Sequence, residues 1–164
     1  MIRGLVIRPV EPADHDAVRA LVADAFGQSA EAELVDALRR DGDVVLELIA
    51  TCEQEPVGHV LFSRLNVEGD GPACAAVALA PIAVAPDRQH SGVGAALIEN
   101  AHHMLEEAGE TLSLVLGDTA YYPRFGYDHA RAAGFESDYQ CDALMAHAFA
   151  DAPAGGRLVY ARAF

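Results

Sequence analysis

The sequence lacks lysine altogether, so its 11 basic residues are all arginines, while 25 acidic residues give it a formal net charge of −14. This excess of negative charge disfavours nucleic acid and anionic membranes as partners. The missing lysine also excludes a P-loop, in which a lysine after the last glycine reaches the phosphates. Neither a nucleic-acid-binding protein nor a P-loop nucleotidase is therefore expected.

Hydrophobic runs of membrane-spanning length and paired cysteines are missing as well. The longest low-polarity stretch, ACAAVALAPIAVAP from Ala73, is shorter than the ~18 residues that a membrane helix needs, and Pro81 interrupts it. The apolar patch before Pro9 is too short for a signal peptide. The three cysteines are odd in number and have no Cys-x-x-Cys spacing, which favours reduced thiols and a cytoplasmic location.

The remaining composition predicts a folded α/β protein. With 164 residues, 52% of them hydrophobic, and without linkers or repeats, the chain is expected to form one domain over residues 1–164. Strands are predicted at 5–10, 44–51, 57–67, 74–84, 112–116, 139–149 and 158–163, and helices at 12–26, 30–40 and 92–107, with a helical turn at 120–125. Antiparallel neighbours followed by a strand–helix–strand crossover indicate a mixed sheet with helices on both faces.

The stretch PDRQHSGVGAALIENA joins a predicted strand to a helix through two glycines. Gln89-x-x-Gly92-x-Gly94 lets the backbone approach a ligand without an intervening Cβ, and the bare N–H groups of a helix start attract anions. Arg88 adds a charge-assisted contact at the rim. Such a stretch suits a pyrophosphate, although short glycine patterns also mark ordinary turns. It is not a Rossmann fingerprint, because Leu97 stands where the third glycine belongs.

A second motif, YYPRFGY at 121–127, follows the predicted strand LSLVL. Together with PIAVAP before the glycine stretch, it resembles the GNAT superfamily of acyl-CoA-dependent N-acetyltransferases. That family combines Arg/Gln-x-x-Gly-x-Gly/Ala after such a strand with an aromatic-Tyr turn that closes on Gly-Phe or Gly-Tyr. GHVLFS at 58–63 and LGD at 116–118 are similar to a branch of predicted acetyltransferases that carries YY-x-RFG. The resemblance covers nearly the whole chain, with both motifs in the family's order and spacing.

The resemblance implies the GNAT fold, a central mixed and mostly antiparallel sheet that splays into a V-shaped cleft, with helices on both faces. Pro81 lies inside the predicted central strand, where its missing N–H costs a ladder bond. The family has a bulge there, and a simple bend is the alternative. Acetyl-CoA would be the co-substrate, with its pantetheine paired along the free strand edge. The implied cofactor-binding residues are Ile82, Ala83 and Val84 for pantetheine, and Arg88, Gln89, His90, Ser91, Gly92, Val93, Gly94 and Ala95 for the pyrophosphate.

The catalytic role that the resemblance implies falls on Tyr122, four residues before the glycine of its motif, where the family's general-acid tyrosine stands. Adjacent residues point apart, so Tyr121 is expected to pack or to line the acceptor pocket. Many relatives carry a glutamate base near the position of Ala80, and this chain has no carboxylate there. His59 and Asp118 are the candidate bases, with core packing as the alternative role for His59.

The predicted function is therefore acetyl transfer from acetyl-CoA to a primary amine, on a small molecule or a peptide, by direct attack in a ternary complex. The alternatives are an acyltransferase that uses a longer acyl group and a non-catalytic CoA-binding regulatory protein. Dimers are common in the family, which makes a homodimer one option. No metal site is expected, because His102/Glu106 and His103/Glu107 have ligand spacing without a third ligand, and a solvated helix face explains them.

Overall fold

The computed structural model describes residues 2–164, which form eight strands, four helices and three short 3-10 turns. The strands are β1 (Leu5–Pro9), β2 (Val44–Cys52), β3 (Glu55–Glu68), β4 (Cys74–Val84), β5 (Leu112–Leu116), β6 (Phe135–Glu136), β7 (Leu144–Ala148) and β8 (Gly156–Val159). The helices are α1 (His15–Phe26), α2 (Ala30–Asp41), α3 (Val93–Glu107) and α4 (His129–Ala132), and the 3-10 turns are Pro12–Asp14, Pro86–Arg88 and Tyr122–Phe125.

All eight strands belong to one sheet, in which β1, β2, β3, β4, β5 and β7 lie side by side in that order. Every pair along this path is antiparallel except β4 and β5, which are parallel because α3 carries the chain back between them. β8 pairs with the far end of β3 and, in parallel, with the short β6. The predicted mixed, mostly antiparallel sheet is thus confirmed.

Helices cover both faces of the sheet, as predicted. On one face, α3 buries Val93 and Leu97 in the main hydrophobic core. On the other face, α1 buries Val22 against Ile49 of β2 and Ala83 of β4. Side chains alternate between these two cores along the strands, since successive strand residues point to opposite faces.

β4 contains a bulge at Ala80-Pro81, in the middle of the sheet. β3 advances two residues, from Val60 to Phe62, while β4 advances three, between Leu79 and Ile82. One β4 residue is therefore left out of the ladder, which is how a strand accommodates a proline that cannot donate a hydrogen bond. The irregularity expected at Pro81 is confirmed.

β4 and β5 separate where this bulge begins. Within residues 2–164 they pair only at Val77–Ser113 and Ala78–Leu114, whereas β4 runs on to Val84 and β5 keeps only β7 as its neighbour. This is the V-shaped opening that the family resemblance implies, and we call it the β4–β5 gap. Along the gap, the edge of β4 between residues 79 and 84 has no strand partner among the described residues.

The C-terminal strands differ from the predicted ones. β7 is a shorter strand inside the predicted 139–149, and β8 is shorter than the predicted 158–163 and begins two residues earlier. β8 pairs with residues 66–68, so tertiary contacts rather than a local pattern set its limits. The prediction also missed β6 and α4, although Asp128 caps α4 by accepting a hydrogen bond from Ala130 N at 3.1 Å.

Candidate functional site

A cavity of about 520 Å³ lies between the C-terminal end of β4 and the N-terminus of α3. We call it the cradle cavity. It is lined by Ile82, Val84, Arg88, Gln89, His90, Gly92, Val93, Gly94, Ala95, Tyr121 and Arg124. All but two of the predicted cofactor-binding residues are in this set. Of the other two, Ala83 faces α1 across the sheet, and Ser91 lines a neighbouring cavity together with Arg3.

The start of α3 gives the cradle cavity a wall of bare N–H groups. Gly92 is the N-cap residue, with φ of 95°, and no described side chain caps the helix. The first intrahelical bond runs from Ala96 N to Gly92 O at 3.0 Å, so the N–H groups of Val93, Gly94 and Ala95 have no acceptor within the helix. These groups and the positive end of the helix dipole form a site for an anion.

Gly94 stands against the phenol of Tyr121, which would have to move to admit a side chain there. A Cβ at this position would lie 2.9 Å from Tyr121 Oη. The Tyr121 ring packs against the main core, as one of its two expected roles requires, and its phenol also lines the cradle cavity. Arg124 lies over the Tyr121 ring, 4.8 Å from its centroid, and donates through Nε to its carbonyl at 3.0 Å. The sequence analysis missed Arg124, whose signal was the arginine within YYPRFGY.

The cradle cavity is basic although the protein as a whole is acidic. Arg88, His90 and Arg124 line it, and none of its described lining residues is a carboxylate. Gln89 folds the loop back onto β4, because its Nε2 donates to Val84 O at 3.2 Å. A polyphosphate is the kind of ligand that matches guanidinium groups together with free backbone N–H groups.

A second cavity, of about 180 Å³, lies on the other side of the β4 bulge. We call it the aromatic cavity. It is lined by Ala78, Leu79, Ala80, Leu114, Val115, Leu116, Tyr139, Tyr160 and Phe164. Ala78, Leu79 and Ala80, just before Pro81, line the aromatic cavity, and Ile82 and Val84, after it, line the cradle cavity, so both cavities adjoin the β4–β5 gap.

Tyr122 packs at the end of β5, with 9% of its surface exposed. A Cβ on Gly117 would lie 2.5 Å from Tyr122 Cε2, and the Tyr121 and Tyr127 rings contact it edge-on, with centroids 5.2 and 5.9 Å away. Burial raises the pKa of Tyr122 to about 12, and the neighbouring Tyr121 and Asp118 add to the effect. The phenol is therefore protonated at neutral pH, as a proton donor must be.

Asp118, one of the two candidate bases, organises the turn that carries both tyrosines. Its Oδ1 accepts a hydrogen bond from Ala120 N at 2.8 Å. Its carbonyl accepts from Tyr121 N at 3.1 Å and from Tyr122 N at 3.2 Å. The side chain is exposed and lines neither the cradle cavity nor the aromatic cavity. The hydrogen bonds of Asp118 are those of a turn residue.

His59, the other candidate base, lies in a buried ion-pair network on the α1–α2 side of the sheet. Its ring is fully buried, and Nε2 is 2.7 Å from Glu47 Oε2. Arg39 Nε donates to the same carboxylate at 3.1 Å. Burial raises the pKa of Glu47, but the hydrogen bonds from His59 and Arg39 outweigh it and hold this pKa at about 2. His59 lines neither cavity, so its position agrees with the core-packing alternative.

A buried polar cluster around Tyr127 was not predicted from the sequence. The Tyr127 hydroxyl is 2.7 Å from Ser113 Oγ and 3.0 Å from His102 Nε2. The His102 ring stacks on His147 with 5.2 Å between centroids. Burial, and then the neighbouring His147, lower the pKa of His102 to about 4. His102 is thus a neutral, half-buried side chain that packs against Tyr127 and His147 rather than a fully solvated one.

Residues 2–164 contain no helix that is long and apolar enough to cross a membrane. The same residues contain no group of three or more His, Cys, Asp or Glu side chains with the arrangement of a metal site. The three cysteines are unpaired: Cys52 is buried, and Cys74 and Cys141 are exposed.

Two curated bacterial proteins are similar to this chain over most of its length. The uncharacterized N-acetyltransferase YjhQ of Escherichia coli K12 is 38% identical over 120 residues, which cover 72% of this chain and 66% of YjhQ. The matched segment is therefore slightly less than two thirds of that relative. The uncharacterized N-acetyltransferase YhbS of the same organism is 34% identical over 148 residues, which cover 85% of this chain and 87% of YhbS.

Solved structures are similar over nearly the whole chain. The crystal structure of YhbS from Escherichia coli in complex with CoA has a TM-score of 0.89 and 31% identity, covering 99% of this chain and 93% of that one. A GNAT-family acetyltransferase from Brucella melitensis in complex with acetyl-CoA has a TM-score of 0.83 and 29% identity, covering 99% of both chains. A sequence model described as the acetyltransferase (GNAT) domain matches residues 6–130. This chain therefore belongs to the GNAT family and is an acyltransferase.

Proposed function

We propose that this protein transfers the acetyl group of acetyl-CoA to a primary amine on a small molecule or a peptide, by direct attack in a ternary complex. The observation that carries the proposal is the cradle cavity, where free N–H groups of α3 and two guanidinium groups lie beside an unpaired strand edge at the β4–β5 gap. The two solved relatives that hold CoA and acetyl-CoA support this choice of co-substrate.

The co-substrate would bind along two walls of the cradle cavity. Its pyrophosphate would accept hydrogen bonds from the N–H groups at 93–95, with Arg88 and Arg124 adding positive charge. Its pantetheine arm would pair with the backbone at 82–84 like an added strand, because that edge of β4 has no strand partner among the described residues. The thioester would then lie in the β4–β5 gap, beside the bulge.

The reaction in this pose is acyl transfer without a covalent enzyme intermediate. The amine nitrogen attacks the thioester carbonyl, a C–N bond forms, and the C–S bond breaks as the tetrahedral oxyanion collapses. A backbone N–H near Val84 would stabilise that oxyanion. Tyr122 would give its phenolic proton to the departing thiolate. Its ring lines neither cavity and packs against Gly117, the residue that follows β5.

Mass spectrometry of the products tests this function directly. The protein is incubated with acetyl-CoA and a mixture of amines, peptides and aminoglycosides, and the proposal expects an amine that gains an acetyl group together with released CoA. Transfer only from a longer acyl-CoA would favour the acyltransferase alternative. Tight acetyl-CoA binding without any acylated product would favour a non-catalytic CoA-binding regulatory protein.

The cellular location belongs to the same proposal. Acetyl-CoA is an intracellular metabolite, and three unpaired thiols suit a reducing compartment. We therefore propose a cytoplasmic enzyme. Retained activity with all three thiols reduced, and its loss on oxidation, would agree with that location.

A further inference from the structure

The aromatic cavity opens on the side of the sheet opposite α3. Ala78 and Leu114, which pair across β4 and β5, belong to the core cluster on that side, and Tyr160 packs against the same cluster. The following residues Ala161 and Ala163 pack against the cluster under α2. The β4–β5 gap is therefore open to the cradle cavity on one face and to the aromatic cavity on the other. A thioester in the gap can be reached from both.

Exposed apolar surface is concentrated at the aromatic cavity. The described residues include six exposed large hydrophobic side chains, and three of them line this cavity: Leu116 at 50%, Tyr139 at 38% and Phe164 at 38% exposure. Tyr160 joins the two aromatic residues, with its ring centroid 5.1 Å from Tyr139 and 5.6 Å from Phe164, both edge-on. Apolar side chains that converge on a concave surface mark a binding site more often than scattered ones do.

The size of the aromatic cavity corresponds to one ring or one branched aliphatic group. Its volume is about 180 Å³. A dry protein cavity of about 150 Å³ holds benzene. Removing apolar surface from water is favourable, so the cavity should bind an amine with an apolar group better than an amine with a polar one.

The lining of the aromatic cavity also bears on how an amine could lose its proton without a carboxylate base. Tyr139 and Tyr160 are its only titratable lining residues among those described, and burial raises the pKa of Tyr160 to about 12. Apolar surroundings disfavour an ammonium ion and lower the pKa of an amine that enters them. An amine bound in this cavity would therefore lose its proton more readily than in water, without a carboxylate at Ala80.

Charged groups do occur on the elements around the aromatic cavity, outside its lining. They are Asp118 after β5, Glu136 on β6, Asp138 and Arg157 in a 3.9 Å pair, Asp142 before β7, and Arg162 paired with Asp41 at 3.0 Å. Carboxylates outnumber guanidinium groups in this set, as they do in the whole chain. The protonated amine is thus attracted from solution before it gives up its proton to water.

We propose that the aromatic cavity is the acceptor site and that it selects a primary amine carried on a single aromatic ring or a branched aliphatic group. This inference rests on the proposed acetyl transfer. The free amine attacks the thioester carbon from the aromatic-cavity face, and its second proton leaves to water. The products are an N-acetylated amine and the thiol of CoA.

Steady-state kinetics with matched amines test the proposal. The probes are 2-phenylethylamine and ethanolamine, two primary amines that differ in the apolar group, with acetyl-CoA as donor. We expect kcat/KM to favour 2-phenylethylamine at least about tenfold. Phe164→Ala should abolish most of this preference, and Leu116→Asn, at a more exposed position, should reduce it. Phe26→Ala is the control, because Phe26 is 41% exposed on α1 and lines neither cavity.

The outcomes separate this inference from the proposed function. Equal rates with both amines, or a preference that Phe164→Ala leaves intact, would overturn the acceptor site while acetyl transfer stands. A panel of acetyl-, butanoyl- and hexanoyl-CoA tests whether the aromatic cavity holds the acyl chain instead of the amine. If Phe164→Ala changes the acyl-chain preference and not the amine preference, the cavity holds the acyl chain and the inference is wrong. Acetyl-CoA binding without transfer to any amine would overturn both proposals.

Discussion

The two cavities that adjoin the β4–β5 gap differ in chemistry and in how the chain builds them. The cradle cavity is basic, uses backbone N–H groups, and comes mostly from residues 82–95. The aromatic cavity has no charged residue in its described lining, and it combines residues 78–80 and 114–116 with rings from positions 139, 160 and 164. The cradle cavity, which is proposed to bind acetyl-CoA, thus depends on local backbone geometry. The cavity proposed for the acceptor depends on tertiary packing.

The largest effect is expected from Gly94→Asp, which disrupts the cradle cavity and leaves the aromatic cavity intact. The new Cβ would lie 2.9 Å from Tyr121 Oη, and the carboxylate would repel a pyrophosphate. Acetyl-CoA should raise the melting temperature of the unmodified protein, because a ligand that binds only the folded state stabilises it. We expect that increase to disappear in Gly94→Asp.

Gly69→Asp is the matched control for this experiment. It adds the same charge in the loop between β3 and β4, where a new Cβ would meet nothing within 4 Å. The thermal shift with acetyl-CoA should remain in this variant. A normal shift in Gly94→Asp would mean that the co-substrate binds outside the cradle cavity.

Replacing the two adjacent tyrosines separates the chemistry of the gap from binding in the cradle cavity. Tyr122→Phe keeps the packing against Gly117 and removes only the phenolic proton, so kcat and kcat/KM should both decrease roughly 10²-fold with acetyl-CoA affinity nearly unchanged. Tyr121→Phe, whose phenol lies at Gly94, should affect acetyl-CoA affinity more than turnover. Thiol release and calorimetry measure the two effects. Unchanged turnover in Tyr122→Phe would leave water as the proton donor.

Glu47→Gln tests whether the buried network of Arg39, Glu47 and His59 contributes to turnover. The change leaves His59 and Arg39 without their shared carboxylate. Breaking a buried pair costs about 3–5 kcal/mol, and the retained amide oxygen should limit the loss in unfolding free energy to about 2 kcal/mol. Turnover at 25 °C should remain normal, because the network lines neither cavity. A large decrease in kcat with unchanged stability would instead make His59 part of the catalytic machinery.

A gradual loss of stability is also expected in acid. The pKa of His102 is about 4 in the folded protein and 6.5 in its ordinary state, so the unfolded chain takes up the proton first and stability decreases as pH falls from 6.5 to 4. The pKa of Glu47 is about 2 instead of 4.5, which adds a further decrease between pH 4.5 and 2. Melting temperatures from pH 8 to 3 measure both effects.

His102→Gln should remove the upper part of this pH dependence. His103→Gln is its control, because His103 is exposed on the same helix and pairs with Glu107 at the surface. The control should retain the decrease in melting temperature between pH 6.5 and 4. An identical pH profile for both variants would show that another group titrates in that range.

The parts of the fold that could be predicted from the sequence are marked by residues that lie close together in the chain. Gly92 and Gly94 flank Val93, the first residue of α3, and Pro81 marks the bulge within its own strand. The mixed sheet and its two helical layers follow from the hydrophobic period and the crossover rules. Most of the cradle cavity could therefore be predicted from one stretch of residues.

The parts that sequence did not predict depend on residues far apart in the chain. The limits of β8 follow from its pairing with residues 66–68, and the rings of the aromatic cavity come from the loop between β6 and β7 and from the segment after β8. Tyr121 and Tyr122 are adjacent, and only the packing at Gly94 and Gly117 shows which phenol enters the cradle cavity. The partner of His59 could have been found, because Glu47 lies on the neighbouring strand of the same hairpin.

A crystal structure with a bisubstrate analogue, in which 2-phenylethylamine is joined to the sulfur of CoA through an acetyl linker, is the most direct test of the two-cavity account. The account predicts the pyrophosphate on the N–H groups at 93–95, the linker in the β4–β5 gap beside Pro81, and the phenyl ring against Tyr160 and Phe164. A phenyl ring that lies outside the aromatic cavity, or a pyrophosphate bound away from α3, would contradict it.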